Sequence, residues 1–504
     1  MKILNKKLGV TASYLSILLS ASLLITGCKK DFLDVPPQAQ QPVTQFWQTQ
    51  EDATAAVNAM YANTRSWTFS AFATMAIESL GSDDASTGTE PSDGSYGFMN
   101  EFDTYTVTSS NDRVNDFWVG MYQQINYCNQ VLDNIPNINM DDALRARYLL
   151  EAKFLRAYSY FRLVRAFGDV PLRLHVPVSG SEYNIPRTPK AEVWAAIQTD
   201  LTEAAAGLPA SYTGANIGRA TKGAALALLA KISIYQSKWT EAKNYSEQVM
   251  GMGYSLYTNY EKMFRLEGEN CAESIYEIQC AYLPSIPGAS NSQYCQIQQA
   301  RGPFDGNGWG FNTPTQNLAD AYEANDPRKF GSILFRGLTS AEGDLIPLTA
   351  TNPMYNYKSY IPFASYTTTG GSEQNIRVIR LADVLLINAE ANNELGNTAN
   401  ALASLELVRK RARDFAIANG APANTLPAIT STSQSDIRTA IYHERRVELG
   451  MDFDSRYFDV IRQGRASTVF GPLGWQANKN EVWPIPQKEI DLSAGMLLQN
   501  PGYN

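Results

Sequence analysis

Between Asp142 and Phe167 the residues Leu150, Phe154, Ala157, Phe161 and Val164 fall at alternating spacings of four and three. That is the apolar stripe of an amphipathic helix. Gly168 follows it and Pro171 stands just beyond, a pairing that ends a helix. The same period governs most of the chain. It predicts helices over 51–64, over 115–134 with a stop at Pro136, and over 190–207 ahead of Pro209. The fold class expected from this pattern is mostly α.

Two stretches, 221–250 and 376–412, read as helix–turn–helix units of one kind. In the first, Ala225, Leu228, Leu229 and Ile232 lead to a turn near Ser237, and Ala242, Tyr245 and Val249 line the second helix. In the other, Leu381 and Leu385 lead to a turn at Gly396, with Ala401, Leu405 and Val408 beyond it. A small residue follows each turn at the same offset, which lets paired helices approach closely and resembles the tetratricopeptide pattern. Two regions break the helical period. Residues 66–110 are rich in Ser, Thr, Asp and Gly, and residues 254–366 in Gly, Pro and Asn. Both carry scattered aromatics. Irregular segments of this length in a compact protein carry function or are disordered, and embedded rings argue for function.

Composition excludes several chemistries. The chain of 504 residues carries a net charge of -8 and gathers no basic stripe, so nucleic acid is not an expected partner. His175 and His443 are its two histidines, each read as structural; zinc, Ser-His-Asp and Cys-His catalysis all rest on imidazole. No Asp-x-Asp-x-Asp-Gly array argues for calcium. No metal or cofactor is expected. Cys128 lies on an apolar helix face and reads as a free thiol. With Cys271, Cys280 and Cys295 it allows three pairings, and sequence does not choose among them.

The first residues set the compartment. Lys2, Lys6 and Lys7 precede an apolar run from Leu15 to Ile25, which is a secretory signal and too short to span a bilayer. It closes on Thr26, Gly27 and Cys28, an ending that resembles a bacterial lipoprotein lipobox. That resemblance implies cleavage before Cys28, lipidation of Cys28 with a palmitate-type chain, and anchoring by lipid alone. Residues 1–27 are then the signal peptide and 28–42 an extended, Pro-containing tether.

Longer matches resemble the SusD/RagB family of outer-membrane nutrient-binding lipoproteins. They include Phe32 to Asp34, the second-helix set Trp118, Tyr122, Ile125 and Asn129, and the long helix with its exit from Glu151 to Leu172. Asp326 to Arg328, Ile437 to Leu449, Arg456 to Asp459, Trp483 to Pro486 and Gln499 to Tyr503 follow in the family's order. Residues 450–455 depart from it, where family members carry a shorter turn. The resemblance implies one SusD-like helical domain over 43–504, with tetratricopeptide-like pairs on one side and long irregular loops holding the ligand. It also implies a non-enzymatic role at the bacterial cell surface: capture of a glycan and delivery to a SusC-like TonB-dependent outer-membrane barrel. Some relatives handle oligopeptides, and a tetratricopeptide-type protein-binding scaffold is a further alternative.

Sugar recognition pairs a flat aromatic face with nearby amides or carboxylates that satisfy hydroxyls. The loop aromatics beside Asn, Asp and Gln are the candidates: Trp67, Tyr96, Phe98, Tyr294 among several glutamines, and Trp309 in a Gly-Trp-Gly segment. Asp83, close to one loop, is a candidate hydroxyl partner, with a turn or capping role as the competing reading for Asp83 and Asp84. Glu444, Arg445, Arg446 and Glu448 sit at helical spacing and read as a structural ion-pair network. A glycoside hydrolase needs two carboxylates about 5–10 Å apart, and no acid pair is marked out.

Overall fold

The computed structural model describes residues 46–503, apart from 284, 286–289, 302–307, 366–370, 454 and 455. The signal segment, the tether and Cys28 lie outside the described residues.

The long helices are α1 (Gln50–Asn63), α2 (Asp112–Asn134), α3 (Asp142–Phe167), α4 (Lys190–Gly207), α5 (Lys222–Tyr235), α6 (Trp239–Met250), α7 (Leu381–Glu394), α8 (Thr398–Ala418) and α9 (Gln434–Leu449). Local chemistry sets their ends. Thr49 and Asp52 form a reciprocal capping box on α1. Asn111, Asp141, Thr221 and Ser433 cap α2, α3, α5 and α9 by accepting from first-turn amides. Gly168 ends α3 at φ 72°, a conformation that suits glycine.

From α2 to α9 each helix packs on the next, and α7 also packs on α9. The helix pairs read from sequence are present as α5–α6 and α7–α8. One boundary differs: Ile376–Arg380 is a strand. Its β-branched residues pair with a segment a hundred residues earlier in the chain, a contact that local periodicity does not carry. The strands are short: β1 (Ala85–Gly88), β2 (Ser274–Ile278), β3 (Phe311–Pro314), β4 (Ile333–Phe335), β5 (Met354–Asn356) and β6 (Ile376–Arg380). They pair antiparallel as β1–β3, β2–β6 and β4–β5.

The stripe on α3 understates its burial. Every residue from Phe154 to Phe167 is buried, including Arg156, Arg162 and Arg165. Each cation is matched. Arg156 forks onto Asp200 at 2.8 and 2.9 Å and donates to Asn129 at 2.9 Å. Arg162, with no exposed surface, forks onto Glu78 at 2.9 and 3.0 Å, and donates to the Phe69 carbonyl at 2.7 Å and the Thr74 hydroxyl at 2.8 Å. Its guanidinium also lies over the rings of Phe69, Phe117 and Phe453. A second ionic cluster joins α9 to the rest. Glu448 meets Arg328, Arg380 and Arg411, while Glu444 meets Arg328 and Arg409. The structural reading of these α9 charges therefore holds. The turn at 450–453 contributes Asp452, which binds Arg380 at 2.7 Å and pairs with Lys358.

The cysteines Cys128, Cys271, Cys280 and Cys295 are free thiols. His175 pairs with Asp133 at 2.7 Å and His443 with Glu323 at 3.4 Å. No described helix is long and apolar enough to cross a membrane.

Arg162→Ala leaves Glu78 charged and buried without its main partner. A loss of about 3–5 kcal/mol is expected, measured as a lower denaturant midpoint. Arg162→Lys should recover only part of it, since an ammonium cannot reproduce the planar fork.

Candidate ligand-binding site

The site begins a short turn after α1. Trp67–Ser70 forms one helical turn, and Phe72–Met75 runs into a π-helical turn, Ala76–Leu80. Arg162 holds both through Phe69, Thr74 and Glu78. The turn at Trp67 lies directly on α2 at Gly120. A β-carbon at Gly120 would stand 2.3 Å from the Thr68 carbonyl oxygen. Glycine is required there by close approach of two backbones.

Trp309 comes from the other irregular region and meets Trp67. Its amide donates to the Gln296 carbonyl at 3.1 Å, and the Gly310 amide to that of Gln299 at 3.0 Å. A β-carbon on Gly308 would fall 2.3 Å from the Gln299 oxygen. The glycines beside Trp309 thus let its segment run tightly along 296–300, rather than merely leaving the ring uncovered. The Trp67 and Trp309 ring centroids are 6.0 Å apart, and both side chains are half-buried. Phe72, fully buried, lies beneath both at 5.5 and 6.2 Å, with Phe311 against it at 4.7 Å. Arg113, at the start of α2, stands over Phe72 at 5.3 Å and pairs with Asp116 at 3.1 Å. The result is a two-tryptophan wall on an aromatic floor.

Two cations belong to this region: Arg113 over Phe72, and Arg65, two residues before Trp67 in the chain. Arg65 donates to the Gln279 carbonyl at 3.3 Å, while its Nε is buried with no partner among the described residues. Arg113 Nε and Asn115 Oδ1 are likewise unpartnered. Burial pulls the Arg65 guanidinium below its ordinary pKa. A hollow of about 460 Å3 opens beside Arg65 and includes Asn58, Tyr61 and Gln279.

The two irregular regions are joined by β1–β3, where Gly88 faces Phe311 and the Thr89 amide donates to the Gly310 carbonyl at 2.6 Å. Arg301 strengthens the join by donating to Thr89 at 2.7 Å and pairing with Asp93. Asp93 in turn accepts from the Ser95 amide ahead of the helix Tyr96–Asp103. Tyr96 is half-buried and Phe98 is 40 % exposed, both on that helix rather than on an open loop. Neither makes a ring contact with Trp67 or Trp309 among the described residues.

Two sequence expectations need correction. Tyr294 is 8 % exposed and packs against Phe453 at 5.4 Å, so its face is covered. The glutamines around it are pins. Gln298 accepts from Asn312 at 2.7 Å and Asn356 at 2.8 Å, and Gln299 exchanges hydrogen bonds with Ile361. Asp83 is not free for a ligand hydroxyl. Arg456 forks onto it at 2.8 and 2.9 Å and Arg446 adds a contact at 3.0 Å. Burial raises its carboxyl, but these cations outweigh burial and hold it below the usual range. Asp84 shares Arg446, and burial pushes its carboxyl up. The pair locks a turn. Sequence reasoning passed over Arg65, Phe72, Arg113 and Arg301; the one local signal was a cation two residues before Trp67.

No group of three or more His, Cys, Asp or Glu among the described residues is arranged to hold a metal ion. Of the Asp305–Gly310 segment, residues 305–307 lie outside the described residues.

The chain matches two family models. The model described as SusD family matches residues 272–503, and that described as starch-binding associating with outer membrane matches residues 31–234. Together with the SusD-like relatives, the two matches support the SusD/RagB family. SusD-like protein P2 of Formosa agariphila is 28 % identical over 95 % of this chain and 98 % of its own length. Starch-binding protein SusD of Bacteroides thetaiotaomicron is 28 % identical over 34 % of this chain and 30 % of its own. Among solved structures, a laminarin-binding SusD-like protein superposes with a TM-score of 0.76 and 29 % identity, covering 90 % of this chain and 100 % of that one. Surface glycan-binding protein A of Bacteroides thetaiotaomicron in complex with laminarihexaose shares the fold, with a TM-score of 0.74 at 21 % identity over 90 % of this chain and 100 % of that one.

Two outcomes are expected. Gly120→Ala should cost about 1–3 kcal/mol through overpacking and move the Trp67 emission maximum, read by denaturation and tryptophan fluorescence against a Trp67→Phe reference. Asp103, which accepts from Thr87, has its carboxyl raised by burial to about 6. Because the folded value lies above the unfolded one, its contribution to stability is full below about pH 4 and is lost as pH rises through 6. Asp103→Asn should flatten the stability profile in that window, as followed by thermal unfolding against pH.

Proposed function

We propose that this protein captures an oligo- or polysaccharide at the outer-membrane surface and delivers it to a SusC-like TonB-dependent barrel without cleaving it. The observation that carries the reading is the partly exposed Trp67–Trp309 pair on its Phe72 floor, with the Arg113 guanidinium over that floor. Tilted rings on a fixed floor offer apolar faces to sugar C–H groups, while the guanidinium serves the hydroxyls. The family matches and the laminarin-binding relative at 29 % identity support a glycan as cargo. In this reading Phe98 and Tyr96 extend the contact surface, Cys28 carries the lipid, and the ligand loops face away from the membrane.

The test is calorimetry of the mature soluble chain against laminarihexaose, maltohexaose, xylohexaose and mannohexaose, with release of shorter products monitored. Binding of one class is expected, with no product. Trp67→Ala and Trp309→Ala should each weaken it by at least tenfold. Tight binding of peptides and of no saccharide would move the cargo to oligopeptides; product release would overturn the binding-only role.

A further inference from the structure

A second pocket lies on the far side of α2. Its volume is about 560 Å3, inside the roughly 300–1,000 Å3 range of small-molecule sites. Three separated segments wall it: Trp118, Val119, Tyr122, Gln123 and Asn126 from α2; the strap between Pro171 and Ile185; and the stretch from Glu489 to Leu497. Gly120 faces the Thr68 turn. At 3.6 residues per turn, Tyr122 lies about 160° and Asn126 about 120° round the helix from Gly120. Gln123, about 60° from Gly120, stands at the near edge, so the pocket centres on a face of the rod turned away from the tryptophan wall.

The strap is built to hold a ring at the mouth. Arg173 donates to the carbonyls of Glu182 and Tyr183 at 2.6 and 2.5 Å, and the Glu182 carboxylate accepts from the Val178 amide at 2.8 Å. Tyr183, so fixed, remains 57 % exposed. Opposite it, the Trp118 and Tyr122 rings meet at 5.0 Å, and the Tyr122 hydroxyl is spent on the Pro171 carbonyl at 2.7 Å. The side-chain amides of Gln123, Asn126 and Asn184 are exposed and make no side-chain hydrogen bond among the described residues. Glu489 reaches the Trp118 indole.

We infer that this pocket is a second saccharide-binding site, in which a sugar ring stacks on Tyr183 and the amides of Gln123, Asn126 and Asn184 engage its hydroxyls. The inference rests on the glycan reading of the first site. Aliphatic residues on the rim, with Leu492 at 74 % exposure, shield the ring contact from water. Three free amides converging on one hollow fit a hydroxyl-rich ligand better than an apolar protein segment, which would leave them desolvated and unpaired. Because the sites occupy different faces of α2, a short oligosaccharide fills one at a time, whereas a long chain passing round the rod engages both and gains by effective concentration.

Calorimetry with the four hexasaccharides, extended to their parent polymers, tests this on the full mature chain. Two binding events are expected for the cognate hexasaccharide. The double variant W67A/W309A should leave the weaker one, and adding Tyr183→Ala or the pair Gln123→Ala and Asn126→Ala should reduce that remainder at least tenfold. Tyr183 and the amides are on the surface, so folding should be unaffected, as circular dichroism would verify. Tyr183→Ala alone should weaken polymer binding and spare the tighter hexasaccharide event. One-to-one binding lost entirely in the tryptophan double variant, and unchanged in Tyr183→Ala, overturns the second site and leaves the proposed function standing. Failure of every saccharide to bind the unmodified chain overturns the glycan reading itself, and the second site with it.

Discussion

The side chain of Arg162 is the contact on which the architecture turns. It sits in the buried half of α3, the helix around which α2 and α4 pack, and reaches out of the helical array to the Phe69 carbonyl, the Thr74 hydroxyl and the Glu78 carboxylate. One cation thus fastens the turn that carries Trp67 and the π-turn behind it to the scaffold. Its charge is tolerable in the interior because Glu78 meets it as a planar fork and aromatic faces surround it. A tryptophan presented by an unanchored four-residue turn would lose orientation and with it much of its worth as the proposed sugar platform.

The second constraint is close backbone approach. Gly120 admits the Thr68 carbonyl against α2, and Gly308 admits the segment 296–300 beneath Trp309. These two contacts bring rings far apart in sequence to 6.0 Å. The β1–β3 pairing and the Arg301 contacts then keep the two irregular regions in register. Rigid elements thus hold the aromatic wall, with the Arg113 guanidinium over its Phe72 floor.

Legibility followed the range of the interactions. The bounds of α3 and α4 were readable to the residue, because caps, stripes and stops are local. The ionic role of Glu444 and Glu448 was readable for the same reason. The strand Ile376–Arg380 was not, since its partner lies in β2. Within the site, Trp67 and Trp309 were recognisable as rings in irregular segments beside polar residues, yet Tyr294 met the same description and is packed against Phe453. The glutamines beside Tyr294 looked like sugar ligands and instead pin backbone to backbone. Asp83 looked free and is held by two arginines more than 350 positions away.

The amino-acid sequence by itself determined the helical class, the helix pairs, the poverty in imidazole and the resemblance to a surface-exposed binding family. All of these depend on composition, on short periods, or on motifs in order. Only the tertiary structure decided which aromatics meet water, which acids are already neutralised, and that Arg113 comes to lie over the Phe72 ring. Exposure and pairing are properties of the partners that folding brings from elsewhere in the chain, and two residues with identical neighbours in sequence acquire different ones in space.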